Sequence, residues 1–584
     1  MDKSKENMEA FWHSAAHVFA EAVVEIYPTA KIAIGPPIEQ GFHYDFELDK
    51  KLKENDLKQI EKKMKEIIRR KEDMKQEKVS IKKAKEMFKD NKYKIEMIED
   101  LEKKGEKEIS IFTNGKFTDM CKGPHIKNLG EIKTVKLLKV SSAYWKGDEK
   151  NTQLTRVYGI AFPSNDELKA WKEARANAEA NDHNKIGREQ NIFMTHELVG
   201  QGLPLLMPRG TKIYQILTRW IEDEEEKRGY VYTKTPYMAK SDLYKVSGHW
   251  DHYKEGMFIL GDEKKEGELL ALRPMTCPYQ FLIYKNGVKS YRDLPIRFGE
   301  TSMLFRNESS GEMHGLTRVR QFTLAEGHLI VTPEQLEEEF KGVLDLINYI
   351  METLGIKEDI TYTFAKWDPK NEKGKYIDNP DAWEHSQEAL KKILDDVGLK
   401  YSEEEGEAAF YGPKLDLQAK NVYGKEDTII TVQIDFALPE RFDMTYIDKD
   451  GKKKRPYVIH RSSIGCYERT IAMLIEKYGG AFPTWLSPEQ AIIIPVSENF
   501  SEYGKKVLGE LKEKGIRAEL DDRNETLGYR IREAQKLKAP YILVVGEKEV
   551  KDKTVAVRTR NGKQDILKID KFIEKILKEI KEKK

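Results

Sequence analysis

The residues after Pro488 carry the pattern that most restricts the fold, because short apolar runs alternate there with amphipathic stretches. The apolar runs have the length and composition of strands, and they cover residues 491–496, 516–520, 541–545 and 554–559. Amphipathic helices are predicted between the first three runs, and a Lys/Glu-rich helix is predicted at the C-terminus. This alternation predicts a small α/β domain with a mixed sheet over 488–584.

The rest of the chain divides by pattern into three further regions. With 584 residues, the chain is long enough for roughly three or four domains. Strand-like runs mixed with one charged helix predict an α+β domain over 1–162. Ser164 and Glu167 form a capping-box pattern, which predicts a linker helix over 163–190. A large block rich in short strands follows over 191–487, so we expect an α+β multidomain protein.

The charges and cysteines restrict the partners and the compartment. Lys and Arg number 101 against 100 Asp and Glu, so the net charge of +1 gives no overall attraction to nucleic acid, and an RNA partner would bind local patches. Three cysteines cannot form a disulfide framework in a chain of this size and suit a reducing compartment. The N-terminus lacks signal-peptide features, and no apolar run reaches the ~18 residues of a membrane span. We therefore expect a cytoplasmic protein without a membrane partner.

Two segments of the central block contain residues suited to binding a nucleotide. The first, LFRNE (304–308), is followed by a Gly/Ser-rich loop and RVRQF (318–322), which predicts a hairpin with cations at both ends. Arg306 offers a planar fork for a phosphate and a carboxylate, Arg318 suits a terminal phosphate, and Phe322 suits a base. The alternative is an ordinary hairpin with two surface arginines and a core Phe.

The second segment, 459–480, reads as a strand that leads into a helix with Arg469 in its first turns. An arginine there suits a phosphate near a helix N-terminus. The alternative is a helix-capping Gly beside an exposed Glu-Arg pair.

Together with a helix and strand over 212–238, these segments resemble, in order, the three motifs of class II aminoacyl-tRNA synthetases, with Gly465, Glu468 and Arg469 in the third. The details resemble the threonyl-tRNA synthetases in RPMTCP (273–278), HGLTRVR (314–320), TVQIDF (431–436), VIHRSSIGCYER (458–469) and FPTWLSP (482–488). The resemblance covers essentially the whole chain. It implies an antiparallel catalytic sheet with flanking helices in a homodimer. It also implies an enzyme that activates threonine with ATP and Mg²⁺, transfers it to tRNA(Thr), and hydrolyses mischarged Ser-tRNA(Thr).

The resemblance implies roles for particular residues of the central block. Arg306 and Arg469 would be catalytic. The ATP contacts would be Arg306, Glu308, Arg318, Phe322 and Arg469, and the amino-acid contacts Met275, Glu326, Tyr411 and Gln433.

A zinc site is implied by the resemblance alone, because Cys277, His328 and His460 are too far apart in sequence for short-range ligand pairing. Three protein ligands leave zinc an open position, which in the family takes the amino and hydroxyl groups of threonine. Valine lacks the hydroxyl and is rejected, whereas serine lacks only a methyl group, worth about 1–3 kcal/mol, so a second sieve is expected.

The N-terminal domain contains HSAAH (13–17) and TDMCKGPH (118–125). His13 and His17 lie one helical turn apart, and with Cys121 and His125 they form a pattern typical of a zinc tetrad. The resemblance instead implies the editing domain of bacterial-type threonyl enzymes, described as metal-free. There His13 or His17 would position or deprotonate a water that attacks the seryl ester. The implied editing residues are His13, His17, Lys94, Asp119, Cys121 and His125.

The C-terminal domain resembles the anticodon-binding domain of several class II enzymes. Splayed anticodon bases are recognised on their edges, which suits Arg, Asn and Glu side chains. The implied contacts are Asn524, Arg532, Glu549 and Arg558, although surface salt bridges are an alternative for each.

The sequence also departs from the family. A ubiquitin-like domain usually precedes the editing domain, and we expect this sequence to lack it because it begins almost at His13. Around the amino-acid pocket, Glu326 replaces a usual Asp, Leu324 a usual Gln, and Thr428-Ile429 a Gln-Cys pair. Two other hypotheses are a non-catalytic RNA-binding paralogue and a synthetase for serine or proline. The retained arginines and zinc ligands argue against the first, the Cys/His/His set against proline, and the editing motifs against serine.

Overall fold

The computed structural model describes residues 3–38, 40–262, 267–371 and 374–584. The chain forms two compact units, Met1–Ala176 and Asn177–Lys584. Among the described residues, no helix combines the length and apolarity that a membrane crossing requires.

The first unit is built on two antiparallel sheets. The larger has the order Lys31–Ile32, Gly41–Glu47, Gln153–Phe162 and Thr134–Tyr144, with Pro37–Ile38 also paired to Gly41–Glu47. The smaller has the order Lys75–Ser80, Glu108–Asn114 and Phe117–Met120. The helices are Lys3–Ile26, Glu54–Arg69, Ile81–Met87 and Lys92–Lys103, and Asn165–Asn181 begins in this unit.

Helix Lys3–Ile26 packs on the larger sheet, where Phe19 contacts Phe42 and Phe46 in a fully buried cluster. The opposite side of the same helix presents His13 and His17 toward residues that follow strand Phe117–Met120. The apolar face of this helix therefore fixes the position of its histidines.

The predicted linker helix over 163–190 is two helices, Asn165–Asn181 and His183–Glu189. Asp182 separates them because its side chain accepts hydrogen bonds from the backbone N–H groups of Asn184 (2.8 Å) and Lys185 (3.2 Å). This N-cap starts a new helix where the sequence pattern alone suggested continuity.

The second unit contains the predicted antiparallel catalytic sheet, which is confirmed. Its eight strands are ordered Val231–Tyr232, Ile296–Phe305, Gln321–Val331, Tyr457–Cys466, Glu426–Asp435, Lys414–Lys420, Ile360–Lys366 and Ser402–Glu405. Only the two edge strands pair in parallel. Helices Pro208–Glu226, Leu336–Thr353 and Tyr467–Tyr478 contribute apolar side chains to the main core beside this sheet.

Smaller elements complete the catalytic region. Its further helices are Ser241–Ser247, His249–Tyr253, Cys277–Tyr284, Pro380–Asp396 and Leu438–Arg441. Its further strands are Phe193–Met194, Leu205–Leu206, Met238–Lys240, Ile259–Leu260, Leu270–Leu272, Tyr446–Ile447 and Lys453–Lys454.

The C-terminal region has the predicted mixed sheet. Its order is Ala518–Leu520, Ala491–Pro495, Tyr541–Val545, Thr554–Thr559 and Gln564–Lys568; the first three strands are parallel and the last two antiparallel. The last strand was missed because it is a polar edge strand that leaves three of its residues exposed. The helices are Ser501–Glu513, Leu527–Lys536, Glu547–Asp552 and Ile569–Lys581.

Candidate functional site

A cavity of about 830 Å³ opens over the catalytic sheet. Residues from both nucleotide segments line it together with the predicted amino-acid contacts. The lining includes Met275, Cys277, Arg306, Glu308, Arg318, Phe322, Glu326, Tyr411, Gln433, His460 and Arg469. The fold therefore gathers into one cavity residues that lie almost 200 positions apart in the chain.

The predicted zinc ligands come together beside this cavity. Cys277 is the first residue of helix Cys277–Tyr284, and His328 and His460 face each other on paired strands. One potential ligand atom from each residue lies within 4.8 Å of the other two, and all three residues are buried. The antiparallel register thus brings His328 and His460 together, although they lie far apart in the sequence.

Hydrogen bonds orient both histidines. Nδ1 of His328 lies 2.6 Å from Oε1 of Gln280, and Nε2 of His460 lies 2.8 Å from Oδ2 of Asp435. Since both partners are acceptors, these nitrogens carry the protons and the opposite nitrogens keep lone pairs. Nε2 of His328 is buried without a hydrogen-bond partner in the described part of the chain. Donation of the second ring nitrogen to an oxygen is the usual environment of a metal-bound histidine.

Burial is the main cause that raises the pKa of the Cys277 thiol, and the nearby Glu326 and Asp435 raise it further. A divalent cation beside the sulfur would reverse this effect and favour the thiolate. One thiol and two imidazoles with free lone pairs form a donor set that suits zinc. The residues present therefore fit the metal that the resemblance implies.

The predicted amino-acid contacts lie in the same cavity as Cys277 and His460. The ring of Tyr411 stacks on His460 at 5.1 Å, and its hydroxyl donates to Oε1 of Gln433 at 2.8 Å. Burial raises the pKa of Glu326, and its Oε1 accepts a long hydrogen bond (3.4 Å) from the backbone of Thr276. Its Oε2 has no partner among the described residues. A buried acceptor oxygen without a partner is suited to a hydrogen bond from an amino group of a bound substrate.

Arg306 lies where strand Ile296–Phe305 ends, with its guanidinium 5.2 Å from the ring of Phe322 and 5.8 Å from that of Tyr253. Among the described residues, the guanidinium makes only one hydrogen bond, a long one (3.5 Å) to the carbonyl of Pro274, and its buried Nε has no hydrogen-bond partner. Two aromatic rings thus hold the guanidinium while most of its donors stay available for an anion.

Arg318 is half-exposed and forms ion pairs with Glu308 (2.9 Å) and Glu312 (3.0 Å). The pair with Glu312 is exposed on both sides and contributes only about 0–1 kcal/mol, so Arg318 can leave Glu312 for a phosphate at small cost.

The third motif fixes Arg469 through its backbone. Gly465 has φ +79°, and a Cβ atom there would lie 2.1 Å from the carbonyl oxygen of Ile429, so only glycine fits. Glu468 is buried and accepts a hydrogen bond from the backbone of Thr323 (2.8 Å), which ties helix Tyr467–Tyr478 to strand Gln321–Val331. Nε of Arg469 donates to the carbonyl of Thr317 at 3.0 Å. The third motif thereby holds the end of the second.

A second cluster lies in the first unit. Sγ of Cys121 is 3.1 Å from Nε2 of His13 and 3.2 Å from Nε2 of His125, and potential ligand atoms of these residues and His17 all lie within 4.8 Å. Burial lowers the pKa of His13 and His17, and lowers that of His125 to about 2. Burial also raises the pKa of Cys121 to about 11. Without a metal, the cluster is therefore three neutral imidazoles and a thiol at neutral pH.

The cluster borders a cavity of about 270 Å³ that Lys94 and Asp119 also line. Nζ of Lys94 lies 2.5 Å from Oδ1 of Asp119, and both side chains are almost fully buried. The hydroxyl of Tyr44, which sequence reasoning missed, donates to the other oxygen of Asp119 at 2.5 Å. All six predicted editing residues thus lie at or beside one small cavity.

Ser14 was also missed, although it lies within HSAAH. Its hydroxyl donates to the carbonyl of Ala10 (2.8 Å), so Nδ1 of His125 at 3.1 Å must donate to Ser14. Nε2 of His125 then offers its lone pair to the cluster.

The four predicted anticodon contacts are spread over the C-terminal region. Asn524 lies before helix Leu527–Lys536 and Arg532 lies on it, and both side chains are exposed. Arg558 lies on strand Thr554–Thr559. Glu549 accepts a hydrogen bond from the backbone of Gly546 (2.9 Å), so one of its oxygens caps a helix.

Family models match three parts of the chain. The tRNA synthetase class II core domain (G, H, P, S and T) matches residues 258–478, and the anticodon binding domain matches 490–579. The threonyl and alanyl tRNA synthetase second additional domain matches 109–158. The antiparallel sheet, the arginine-lined cavity and these matches define a class II aminoacyl-tRNA synthetase.

Individual relatives narrow the class. A threonine--tRNA ligase of Clostridium botulinum (strain Eklund 17B / Type B) is 60% identical over 99% of this chain and 89% of that protein. One of Staphylococcus carnosus is 45% identical over 100% of this chain and 89% of that protein. The chain belongs to the threonine–tRNA ligase family.

A solved structure supports this relationship. The RNA binding domain of threonyl-tRNA synthetase from Cryptosporidium parvum Iowa II aligns with a TM-score of 0.63 at 36% identity, covering 68% of this chain and 98% of that one.

Proposed function

We propose that this chain activates threonine with ATP, transfers it to tRNA(Thr), and hydrolyses mischarged Ser-tRNA(Thr). The observation that carries the proposal is one cavity lined by Arg306, Arg469, Cys277 and His460. His328 lies beside the cavity and groups with Cys277 and His460. Pyrophosphate exchange measured with each of the twenty amino acids tests it. Exchange should depend on threonine, weakly on serine, and not on valine; exchange that is strongest with another amino acid would overturn the proposal.

Cys277, His328 and His460 would hold one zinc ion. The bound ion would supply open coordination positions for the amino and hydroxyl groups of threonine. Glu326 would accept a hydrogen bond from this amino group through its free oxygen, while Tyr411 and Gln433 form a hydrogen-bonded wall. A site that requires a hydroxyl rejects valine strongly, because valine would leave polar groups unpaired.

In activation, a carboxylate oxygen of threonine attacks the α-phosphorus of ATP in line and pyrophosphate leaves with Mg²⁺. Arg306 binds the carboxylate and the α-phosphate, so it stabilises the charge that develops between them. Arg469 and Arg318 bind the remaining phosphates, Phe322 offers its ring to adenine, and Glu308 holds Arg318 between turnovers. The 3′-terminal hydroxyl of tRNA then attacks the threonyl carbonyl carbon, and AMP leaves.

In editing, His13 or His17 takes a proton from a water whose oxygen attacks the carbonyl carbon of the seryl ester. Free serine and tRNA leave. Neutral imidazoles are the form required of a base, and burial keeps them neutral. The buried pair of Lys94 and Asp119 supplies a fixed charge distribution at the cavity wall. In this metal-free mechanism Cys121 completes the cavity wall, and His125 lies against Cys121 beside the cavity.

Asn524, Arg532, Glu549 and Arg558 are the proposed anticodon contacts. Arg532→Ala and Arg558→Ala should weaken aminoacylation through tRNA affinity while exchange without tRNA stays unchanged. A fall in exchange would show that these arginines support folding instead.

We also infer that the protein is a cytoplasmic homodimer. Its three free cysteines suit a reducing compartment.

A further inference from the structure

His183 is a buried histidine that the proposed chemistry does not use, yet both of its ring nitrogens are engaged. It starts helix His183–Glu189 and is fully buried. Its Nδ1 lies 2.7 Å from Oε1 of Glu476, and its Nε2 lies 3.3 Å from the backbone nitrogen of Leu316. The Leu316 N–H can only donate, so Nε2 accepts and the ring proton sits on Nδ1, where it is donated to Glu476.

The two partners belong to the two elements that carry the ATP-binding arginines. Glu476 is on helix Tyr467–Tyr478, which also carries Arg469. Leu316 is two residues before Arg318, at the end of the loop of the second motif. One imidazole therefore joins the helix of Arg469 to the segment of Arg318.

The surroundings leave this segment little freedom. Gly315 has φ +49°, and a Cβ atom there would lie 2.1 Å from Nε2 of His183. Thr317 accepts a hydrogen bond from Nε of Arg469. By contrast, the preceding loop residues 309–312 are exposed. The contacts of Leu316 and Thr317 thus mark the point where the exposed loop becomes fixed.

The residues on either side of the His183 ring are fixed by further hydrogen bonds. The carboxylate of Asp182 caps its helix and accepts a hydrogen bond from the hydroxyl of Tyr423 at 3.1 Å. Oε2 of Glu476 accepts a hydrogen bond from the backbone of Val422 at 3.2 Å.

Asp182, His183 and His314 also lie close enough to resemble a metal site. Both ring nitrogens of His183 are already committed, so a metal would have to displace one of its hydrogen bonds. The arrangement is therefore a structural connection and not a metal centre.

We propose that His183 is a positioning residue for ATP binding. By accepting from Leu316 and donating to Glu476, it sets the distance between the segments that present Arg318 and Arg469 to the phosphates. The inference rests on the proposed function, because it assigns those arginines to ATP. It extends that function to a residue of the linker, outside the recognised motifs.

Two substitutions separate the two hydrogen bonds. His183→Asn places an amide near the Nδ1 position, so it can still donate to Glu476 but cannot reach Leu316. His183→Gln places its amide oxygen near the Nε2 position, so it can still accept from Leu316. Tyr423→Phe is the matched control, since it removes the hydroxyl that donates to Asp182 and keeps both hydrogen bonds of the His183 ring.

The readout is threonine-dependent pyrophosphate exchange, with KM measured for ATP and for threonine. His183→Asn should raise the KM for ATP about fivefold to tenfold, the effect of losing roughly one hydrogen bond, and leave the KM for threonine nearly unchanged. His183→Gln keeps the bond to Leu316 but loses the bond to Glu476, so it should also raise the KM for ATP. Tyr423→Phe should stay near the wild type. A purely structural role predicts that Asn and Gln lower kcat together, or that both KM values rise, and either result would overturn the inference.

Calorimetric titration with a non-hydrolysable ATP analogue separates this inference from the proposed function. If the wild type binds the analogue and His183→Asn binds it more weakly, the positioning role holds even where threonine does not support exchange. Equal binding by the wild type and His183→Asn would refute the positioning role and leave the amino-acid assignment intact.

Discussion

Replacing Gln280 by Leu should weaken zinc binding, because Gln280 determines which nitrogen of His328 is free. The hydroxyl of Thr233 donates to Oε2 of Glu300 (2.9 Å), and the amide nitrogen of Gln280 donates to that hydroxyl (2.7 Å). The threonine hydroxyl has one proton, so Gln280 must turn its nitrogen to Thr233 and its oxygen to His328. His328 then carries its proton on Nδ1 and keeps the lone pair of Nε2 for a metal.

The expected fall in zinc affinity follows from the loss of the acceptor for the Nδ1 proton of His328. In Gln280→Leu, the N–H of His328 is either buried without a partner, at about 1–3 kcal/mol, or moves to Nε2 and removes a ligand. Loss of such an outer partner lowers metal affinity by about 10–100-fold, which is the same range in free energy. We therefore expect zinc affinity to fall by about 10–100-fold.

Competition with a chelating zinc indicator measures the affinity, and exchange at buffered free zinc shows whether activation follows it. Gln280→Glu is the control, because its carboxylate still accepts from His328 and should retain most of the affinity. The reasoning fails if the Leu variant, folded by circular dichroism, binds zinc as tightly as the wild type. It also fails if the Glu variant is as weak as the Leu variant.

Three further predictions concern the two sites. Cys277→Ala should lose about one equivalent of zinc and threonine activation, whereas Cys121→Ala should keep both; zinc loss from the Cys121 variant would reveal a metal in the second cluster. His13→Ala combined with His17→Ala should leave threonine activation intact while Ser-tRNA accumulates, and an unchanged deacylation rate would contradict the editing assignment. Leu324→Gln should not improve rejection of serine, because leucine adds at most about 1–2 kcal/mol of apolar contact to the threonine methyl. Ratios of kcat/KM for threonine and serine decide this, and better discrimination in the variant would refute it.

The sequence predicted the features that depend on residues close together along the chain. The mixed C-terminal sheet follows from alternating apolar runs, and Gly465 follows from a motif whose backbone admits only glycine. The polar edge strand Gln564–Lys568 was missed because it lacks a continuous apolar run. The break at Asp182 was missed because the helical pattern continues on both sides of it, although its side chain caps the second helix through a local hydrogen bond.

The zinc ligands Cys277, His328 and His460 were predicted from a resemblance. The reason that they lie close together appears only in the folded structure. Cys277 and His328 are brought together by a helix start and a strand register, and neither leaves a spacing signal. Gln280 follows Cys277 by three positions on one helical face, but no local feature of the sequence connects it to His328, 48 positions away. Asp435 is 25 positions from the histidine that it orients.

A motif identifies the side chain that can act, whereas the proton on that side chain is set by partners remote in sequence. Ser14 decides the tautomer of His125 across 111 positions, and Leu316 decides that of His183 across 133. Each partner is fixed because its own hydrogen-bonding capacity is already committed: the Ser14 hydroxyl donates to Ala10, and a backbone N–H can only donate. Such commitments depend on which groups the fold buries together, so sequence pattern can name a candidate ligand or base before it can say which nitrogen is free. The substitutions most informative about this enzyme are therefore those at the remote partners, because they change the proton while the motif residue itself stays in place.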